Sequence, residues 1–365
     1  MSTVCTSCGA ENTGSIYCPA CGEAVGATTP KTSHDLETQS ASTETAELAT
    51  NRFEESSDQT SSSKKGKKFL ALGIALILFI SGGLGVFWFA SSSSDVFTVN
   101  GVGYSIEELD ALTAALVEVG QLTETNGSFP KEDLMPIIRV LIRHEAYLQF
   151  IKKYDIKETS ANRKMVTEQA AADQSFPTYP KNLQDILIDI SLAELTVSEM
   201  KTPAISTIEK LYNSSPSSSG VLCLSHILVK TKAQADAALA QIKAGADFAA
   251  VAKKKSIEPD AKESGGALTN GEEPCIALPL LQDNFDSDFM VGAVAAKAGV
   301  PSQPVKSSFG WHIILSHPYN EVKESVKNVL SEDSGLALLA GFLTSSDVTL
   351  NPTYGTWNSA AAKIS

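Results

Sequence analysis

The sequence has little cysteine, and what it has is unevenly placed: six residues in 365, four of them within the first 21. That count excludes a scaffold held by a dense disulfide framework. Basic charge is also scarce, with 29 lysines and arginines against 42 aspartates and glutamates, a formal charge of −13. A chain with this balance does not coat nucleic acid, and no nucleic-acid partner is expected. Residues 24–63 are poor in large apolar side chains: 16 of these 40 are serine or threonine, and Phe53 is the lone aromatic. Such a stretch cannot offset its chain entropy by burial, so a disordered tether is expected over 24–68.

Residues 69–90 lack charge altogether. They run Phe-Leu-Ala-Leu-Gly-Ile-Ala-Leu-Ile-Leu-Phe-Ile and end in Phe-Trp-Phe-Ala. At 1.5 Å per residue this run spans roughly 30 Å, the hydrocarbon thickness of a bilayer. The expectation is one transmembrane helix in contact with lipid through 69–90. A cleaved signal peptide is excluded because the run begins so far into the chain. Lys64, Lys65, Lys67 and Lys68 precede it, and the nearest following charges are acidic. The positive-inside bias then places the N-terminus in the cytoplasm and residues 91–365 outside the cell membrane.

Ahead of the tether stands Cys5-x-x-Cys8-Gly9, followed by Cys18-x-x-Cys21-Gly22. Two such turns offer four thiolates, which complete a tetrahedral shell for Zn2+. The unit, 1–23, resembles the small zinc ribbons at the N-termini of many bacterial membrane proteins. With no open ligand position the zinc would be structural, and nothing in the sequence names a partner for the ribbon.

Beyond the membrane the pattern becomes globular. Val96–Tyr104 reads as an extended segment broken at Asn100-Gly101, a turn signal. Ser105-Ile-Glu-Glu108 has the spacing of a capping box and opens a helix. Pro130 starts a longer helix with Leu134, Ile137, Ile138, Leu141, Ile142 and Leu148 on one face. Further helical periodicity continues to Tyr212, so 91–212 is expected to be a mainly α module. His144 stands alone within it, with no second chemical group at a useful spacing. A Ser/Pro/Gly linker is expected at 213–220. After it come a strand at 221–230, helices, and a terminal strand at 304–316, the order of a small α+β domain. Residues 320–365 read as an appended helix near 335–343 and a loose end. A disulfide between Cys223 and Cys275 is open to them outside the membrane, but two unpaired thiols are expected, since nothing in the sequence brings them within the roughly 4.4–6.8 Å Cα separation of a bridge.

Two histidines of the α+β domain are its candidates for chemistry, although a lone histidine on an apolar strand is usually a satisfied core residue: Ser225-His226-Ile-Leu228-Val and Phe309-Gly310-Trp311-His312-Ile-Ile. Between them lie Asp247-Phe248-x-x-x-Ala252, Ser256-Ile-Glu258-Pro and Gly265-Gly266. In combination, 221–319 resembles the parvulin-type peptidyl-prolyl isomerases. The resemblance implies an antiparallel sheet and a site built from His226, His312, Ser307 and Glu258. It implies a proline-binding wall of Phe285, Phe289 and Leu228, and no cofactor for catalysis. Two departures stand out: Ala267 replaces the aspartate of Gly-Gly-Asp-Leu-Gly, and Glu258 is one methylene longer than the usual aspartate. The loop after the first strand, Thr231-Lys232-Ala233, lacks the basic insertion of the phosphate-selective parvulins. Residues 96–212 resemble the helical chaperone module of the SurA and PrsA foldases. The implied clients are unfolded exported polypeptides with X-Pro bonds. The rival reading is a parvulin fold without activity that only holds such clients.

Overall fold

The computed structural model describes residues 3–4, 11–12, 95–269, 271 and 273–365. The four ribbon cysteines, the tether and the 69–90 segment lie outside the described residues. The chain divides into two units, 1–51 and 52–365. In the first, β1 (Thr3–Val4) pairs antiparallel with β2 (Glu11–Asn12). Among the described residues no helix is long and apolar enough to cross a membrane.

The second unit opens with β3 (Asp95–Val99) and β4 (Val102–Ser105), an antiparallel hairpin. Asn100 and Gly101 turn it with φ of 49° and 82°, the left-handed values that a two-residue hairpin demands. The Ser105 hydroxyl caps the Glu108 amide and the Glu108 carboxylate returns to the Ser105 amide, which starts α1 (Ile106–Glu118). Then follow α2 (Lys131–Lys153), α3 (Ser160–Ala170), α4 (Lys181–Ser198) and α5 (Ile205–Ser214). The apolar face expected on α2 is buried, with one exception. Leu148 is 44% exposed, and Tyr147 and Phe150 take the core side at that level.

The segment expected as a linker is a packed junction. Residues Pro216–Ser219 form a buried 3-10 turn, and Gly220 follows at φ 74°. A Cβ on Gly220 would stand 1.8 Å from the Ala337 carbonyl oxygen, so only glycine lets the turn lie against the C-terminal helix.

That helix corrects the expectation of a loose end at 320–365. It is α11 (Tyr319–Thr344), bent at Asp333, whose carboxylate caps the Leu336 amide of the second half. Val326, Leu330, Ala337, Leu338 and Leu343 share one buried core with Phe97, Ile138, Phe150 and Tyr212. The chain then adds β10 (Val348–Leu350) to the edge of β3, giving the order β10-β3-β4. The helical module is therefore built from both sides of the α+β domain, which sits between α5 and α11 in sequence.

The α+β domain is entered through β5 (Val221–Leu222), which pairs with β7 (Ile276–Ala277). The register Leu222↔Ile276 makes Cys223 and Cys275 the next facing pair, 4.1 Å apart at Cα, and they form a disulfide. This overturns the expectation of two free thiols. The pairing of two-residue strands, invisible in a sequence pattern, brings the cysteines together. Both are buried in the same core as Phe97 and Tyr212.

The main sheet has the order β6-β9-β8, all antiparallel, from β6 (Leu224–Val229), β8 (Val305–Lys306) and β9 (Trp311–Ser316). Alternation along β6 and β9 divides their side chains between two faces. Ile227, Val229 and Ile313 pack under α6 (Lys232–Lys243) and α7 (Phe248–Lys255) through Leu239, Phe248 and Val251. Leu224 and Ile314 pack under α9 (Leu278–Asn284) and α10 (Ser287–Ala295) through Leu281, Phe289 and Met290. A short α8 (Ala261–Ser264) lies between these layers in sequence.

Candidate active site

His226 and His312 lie on adjacent antiparallel strands, two residues out of register: Leu228 is the residue opposite His312, and Ile314 is opposite His226. The alternation of both strands turns both imidazoles to the α9–α10 face, where His226 and His312 are buried. Their Nδ1 atoms are 3.2 Å apart. Ser307, at the end of β8, brings its hydroxyl to 2.7 Å from His312 Nε2. On the other side Glu258 Oε2 lies 2.7 Å from His226 Nε2. The extra methylene of Glu258 does not carry its carboxylate away from the histidine.

The backbone explains how Glu258 gets there. The Ser256–Glu258 segment runs along the free edge of β6. The Ile257 amide donates to the Leu228 carbonyl at 2.8 Å, and the Leu228 amide to the Ser256 hydroxyl at 3.2 Å. The Gly265-Gly266 turn lies against the same edge. The His226 amide donates to the Gly266 carbonyl at 2.7 Å, and Gly266 has φ 83°. A Cβ there would stand 2.2 Å from the His226 carbonyl oxygen. Ala267 continues this edge as a bridge to Ser225, so the departure at 267 leaves the backbone pairing in place.

The hydrogen bonds define a direction. A carboxylate only accepts, so His226 Nε2 donates to Glu258 and His226 Nδ1 is left as an acceptor. His312 Nδ1 then donates to it, and His312 Nε2 accepts the Ser307 hydroxyl proton. The Phe309 amide donates to the same Ser307 oxygen at 3.1 Å, fixing the far end. The chain of donors thus runs from Phe309 through Ser307, His312 and His226 to Glu258. The electrostatics agree. Burial, then the repulsion a protonated His226 would exert, push His312 down to about 3 from its ordinary 6.5. Burial raises the Glu258 carboxyl, but the charge and hydrogen bond of His226 outweigh it and the net shift is downward.

The apolar wall stands beside this floor. Phe289 packs edge-on to His312 with ring centroids 5.0 Å apart, and edge-on to His226 at 5.5 Å. Phe285 stacks on Phe289 at 5.4 Å. Phe285 and Phe289 stand four apart in sequence, a spacing that by itself suggests one face of one helix. Instead Phe285 closes α9 and Phe289 lies in the first turn of α10, with Asp286 at the break. Leu228, on the same face of β6 as His226, packs toward Gly310: a Cβ on that glycine would lie 3.0 Å from Leu228 Cδ1. Every residue expected in the α+β site is therefore gathered in one place. Sequence reasoning missed Ser256, Asp286 and Ser308. Ser256 stood inside a quoted motif, and Asp286 directly follows Phe285 in an N-cap position.

Residues 226–317 match the family model described as the PPIC-type PPIASE domain, or rotamase. These residues form a parvulin-type peptidyl-prolyl isomerase domain. A foldase protein PrsA from Clostridium kluyveri is 36% identical over 145 residues, 36% of this chain and 40% of the relative. That alignment spans less than half of the relative's length. A foldase protein PrsA from Clostridium botulinum is 27% identical over 285 residues, 67% of this chain and 83% of the relative. The crystal structure of PrsA from Bacillus subtilis aligns at 21% identity, covering 56% of this chain and 79% of that one, with a TM-score of 0.25. The 285-residue alignment to the Clostridium botulinum relative is far longer than 226–317, so the sequence similarity to foldases extends from the isomerase domain into the helical module.

Proposed function

We propose that the protein is a membrane-anchored foldase that catalyses cis–trans isomerisation of X-Pro bonds in unfolded exported polypeptides. The observation that carries the reading is the unbroken chain of hydrogen bonds from Ser307 through His312 and His226 to Glu258, set against Phe289. Rotation about a peptide bond faces a barrier of about 18–20 kcal/mol because the planar amide is conjugated. The twisted amide is less polar than the planar one. A dry wall of Phe285 and Phe289 favours it by removing water from the proline ring and its carbonyl. The histidine network supplies a fixed, oriented floor whose dipoles need no reorganisation as the bond turns. Neither step forms a covalent bond to the protein.

The anchoring and topology rest on the charge-free run at 69–90 and the four lysines before it. They place the isomerase domain and helical module outside the cell membrane and the ribbon inside, in keeping with relatives named as foldases. Cys5, Cys8, Cys18 and Cys21 would hold one structural zinc. The donor set is four thiolates, and the β1–β2 pair brackets the first Cys-x-x-Cys turn. Metal analysis of the purified chain under reducing conditions is expected to give one zinc per chain, and its absence refutes the ribbon.

The activity is tested by a proline-isomerisation assay on the full chain. The wild type is expected to accelerate the reaction and His312→Ala to abolish most of that acceleration. A wild type no faster than the uncatalysed reaction supports the rival, a parvulin fold that only holds clients.

A further inference from the structure

The wall and the floor of the site belong to different parts of the chain. Phe285 and Phe289 come from the break between α9 and α10, whereas Ser307 and His312 come from the β8–β9 turn and β9. One side chain bonds to both. Asp286 Oδ1 accepts the amides of Asp288 and Phe289 at 3.0 and 3.1 Å, an N-cap for α10. Its other oxygen, Oδ2, accepts the Ser308 hydroxyl at 2.6 Å and the Ser308 amide at 3.4 Å. Ser308 sits between Ser307 and Phe309, the two residues that fix the far end of the hydrogen-bonded chain. A residue needed only as a cap would use one oxygen and leave the other to water. This one spends its second oxygen on a loop 22 residues away.

We propose that Asp286 is a positioning residue for the isomerase reaction: its carboxylate fixes the distance and angle between the proline-binding wall and the histidine floor by holding Ser308 and the first turn of α10 together. The inference rests on the isomerase reading above. Burial raises the Asp286 carboxyl, but the Ser308 hydroxyl and the three amides outweigh it, so the net shift is downward and the group stays ionised across the neutral range. A charged acceptor makes stronger hydrogen bonds than a neutral one. The same charge favours protonation of His312, against the larger effect of burial. Loosening Asp286 therefore frees the Ser307–Phe309 turn and alters the hydrogen bond at His312 Nε2.

The test uses the full chain and three variants. Asp286→Ser keeps a side-chain cap on α10 but cannot reach Ser308. Ser308→Ala removes the bridging hydroxyl from the opposite side. Asp247→Ala removes the cap of α7, where the aspartate accepts the Ala250 amide at 2.8 Å away from the site, and controls for the loss of a cap as such. Asp286→Ser and Ser308→Ala are each expected to lower kcat on an X-Pro peptide by about ten- to a hundred-fold, with KM little changed. Each wall still binds its part of the substrate, and only their register is lost. The double variant should be no slower than either single one, because both remove the same link. Asp247→Ala should keep the wild-type kcat. The 15N resonance of His312 Nε2 should move in Asp286→Ser and Ser308→Ala and stay in place in Asp247→Ala. An active wild type whose Asp286→Ser and Ser308→Ala variants match it in kcat overturns this inference and leaves the isomerase reading intact. Additive losses in the double variant also overturn it. An inactive wild type sinks the isomerase reading. In that case the His312 resonance still decides whether Asp286 positions the floor: movement upholds the link, and an unmoved signal refutes it.

Discussion

Histidine is buried in the isomerase domain and half-buried in the helical module, and the two surroundings differ in one respect. His312 is pushed down to about 3, chiefly by burial, and both of its ring nitrogens have partners. His144, on α2, is pushed down to about 4 by burial alone, and its Nδ1 has no hydrogen-bond partner. Burial is thus enough to keep an imidazole neutral in either place. It is not enough to orient one. Orientation comes from the sheet, which brings residues 86 positions apart to 3.2 Å and lets each satisfy the other. In the helical module His144 Nδ1 is left without such a partner.

The largest expected effect breaks the seam between these two regions. The Cys223–Cys275 disulfide closes a 52-residue loop and lies in the core of the helical module, while the chain it ties belongs to the isomerase domain. Its loss should cost roughly 4 kcal/mol through the entropy of the unfolded chain. Urea unfolding of the full chain should show a clearly lower midpoint with reductant, and in Cys223→Ser, than for the wild type without reductant. Coincident curves would mean the bridge contributes nothing.

Next in size is the contrast between the histidines themselves. Replacing His226 or His312 by alanine should slow catalysed isomerisation by about 10²–10³-fold, the usual loss when an oriented polar group is taken from a preorganised site. His144→Ala should stay within about twofold of wild type. Equal losses at His144 and His312 in the isomerisation assay would erase the distinction drawn between the regions.

A smaller effect concerns stability. The orphaned Nδ1 of His144 makes His144→Leu stabilising by about 1–3 kcal/mol at neutral pH, the cost of an unsatisfied buried polar group. Thermal unfolding reads this directly, and a fall in Tm would count against it. The smallest is a change of slope with pH. Both His144 and His312 have depressed folded values, so the unfolded chain binds their protons first as pH falls below 6.5. Their contribution is fully present above 6.5 and is lost on acidification, by about 1.4 kcal/mol per pH unit for each group. For His144 the loss ends near pH 4, and for His312 near pH 3. His144→Leu should therefore flatten the stability profile between pH 6.5 and 4 by one group's share and leave the remainder. An unchanged slope in pH-dependent urea unfolding refutes the assignment.

The isomerase domain was legible residue by residue because its chemistry is written in local motifs. His226, Glu258, Ser307 and His312 each stand in a short string whose spacing reflects one strand or one turn. The helical module showed only periodicity, which finds faces and not neighbours. For that reason α2 and the Ser105 capping box were readable, while the return of α11 into the module was not. The apolar residues of α11 are compatible with any core, and their pairing with Phe97 and Tyr212 depends on where the intervening domain delivers the chain. Leu148 shows the same limit on a smaller scale. It has the right period for the buried face and is exposed, because Tyr147 and Phe150 occupy the core there.

By itself the sequence determined most of the helices, the strand faces that turn His226 and His312 the same way, and the cap at Ser105. These follow from contacts within a few residues, where spacing and geometry are nearly the same thing. Only the tertiary structure decided the Cys223–Cys275 bridge, the Asp286–Ser308 link and the burial of 320–350 beneath the helical module. Each depends on register between segments distant in the chain. Register is set by the summed packing of many side chains on both sides of a contact, and no single residue or spacing carries that sum.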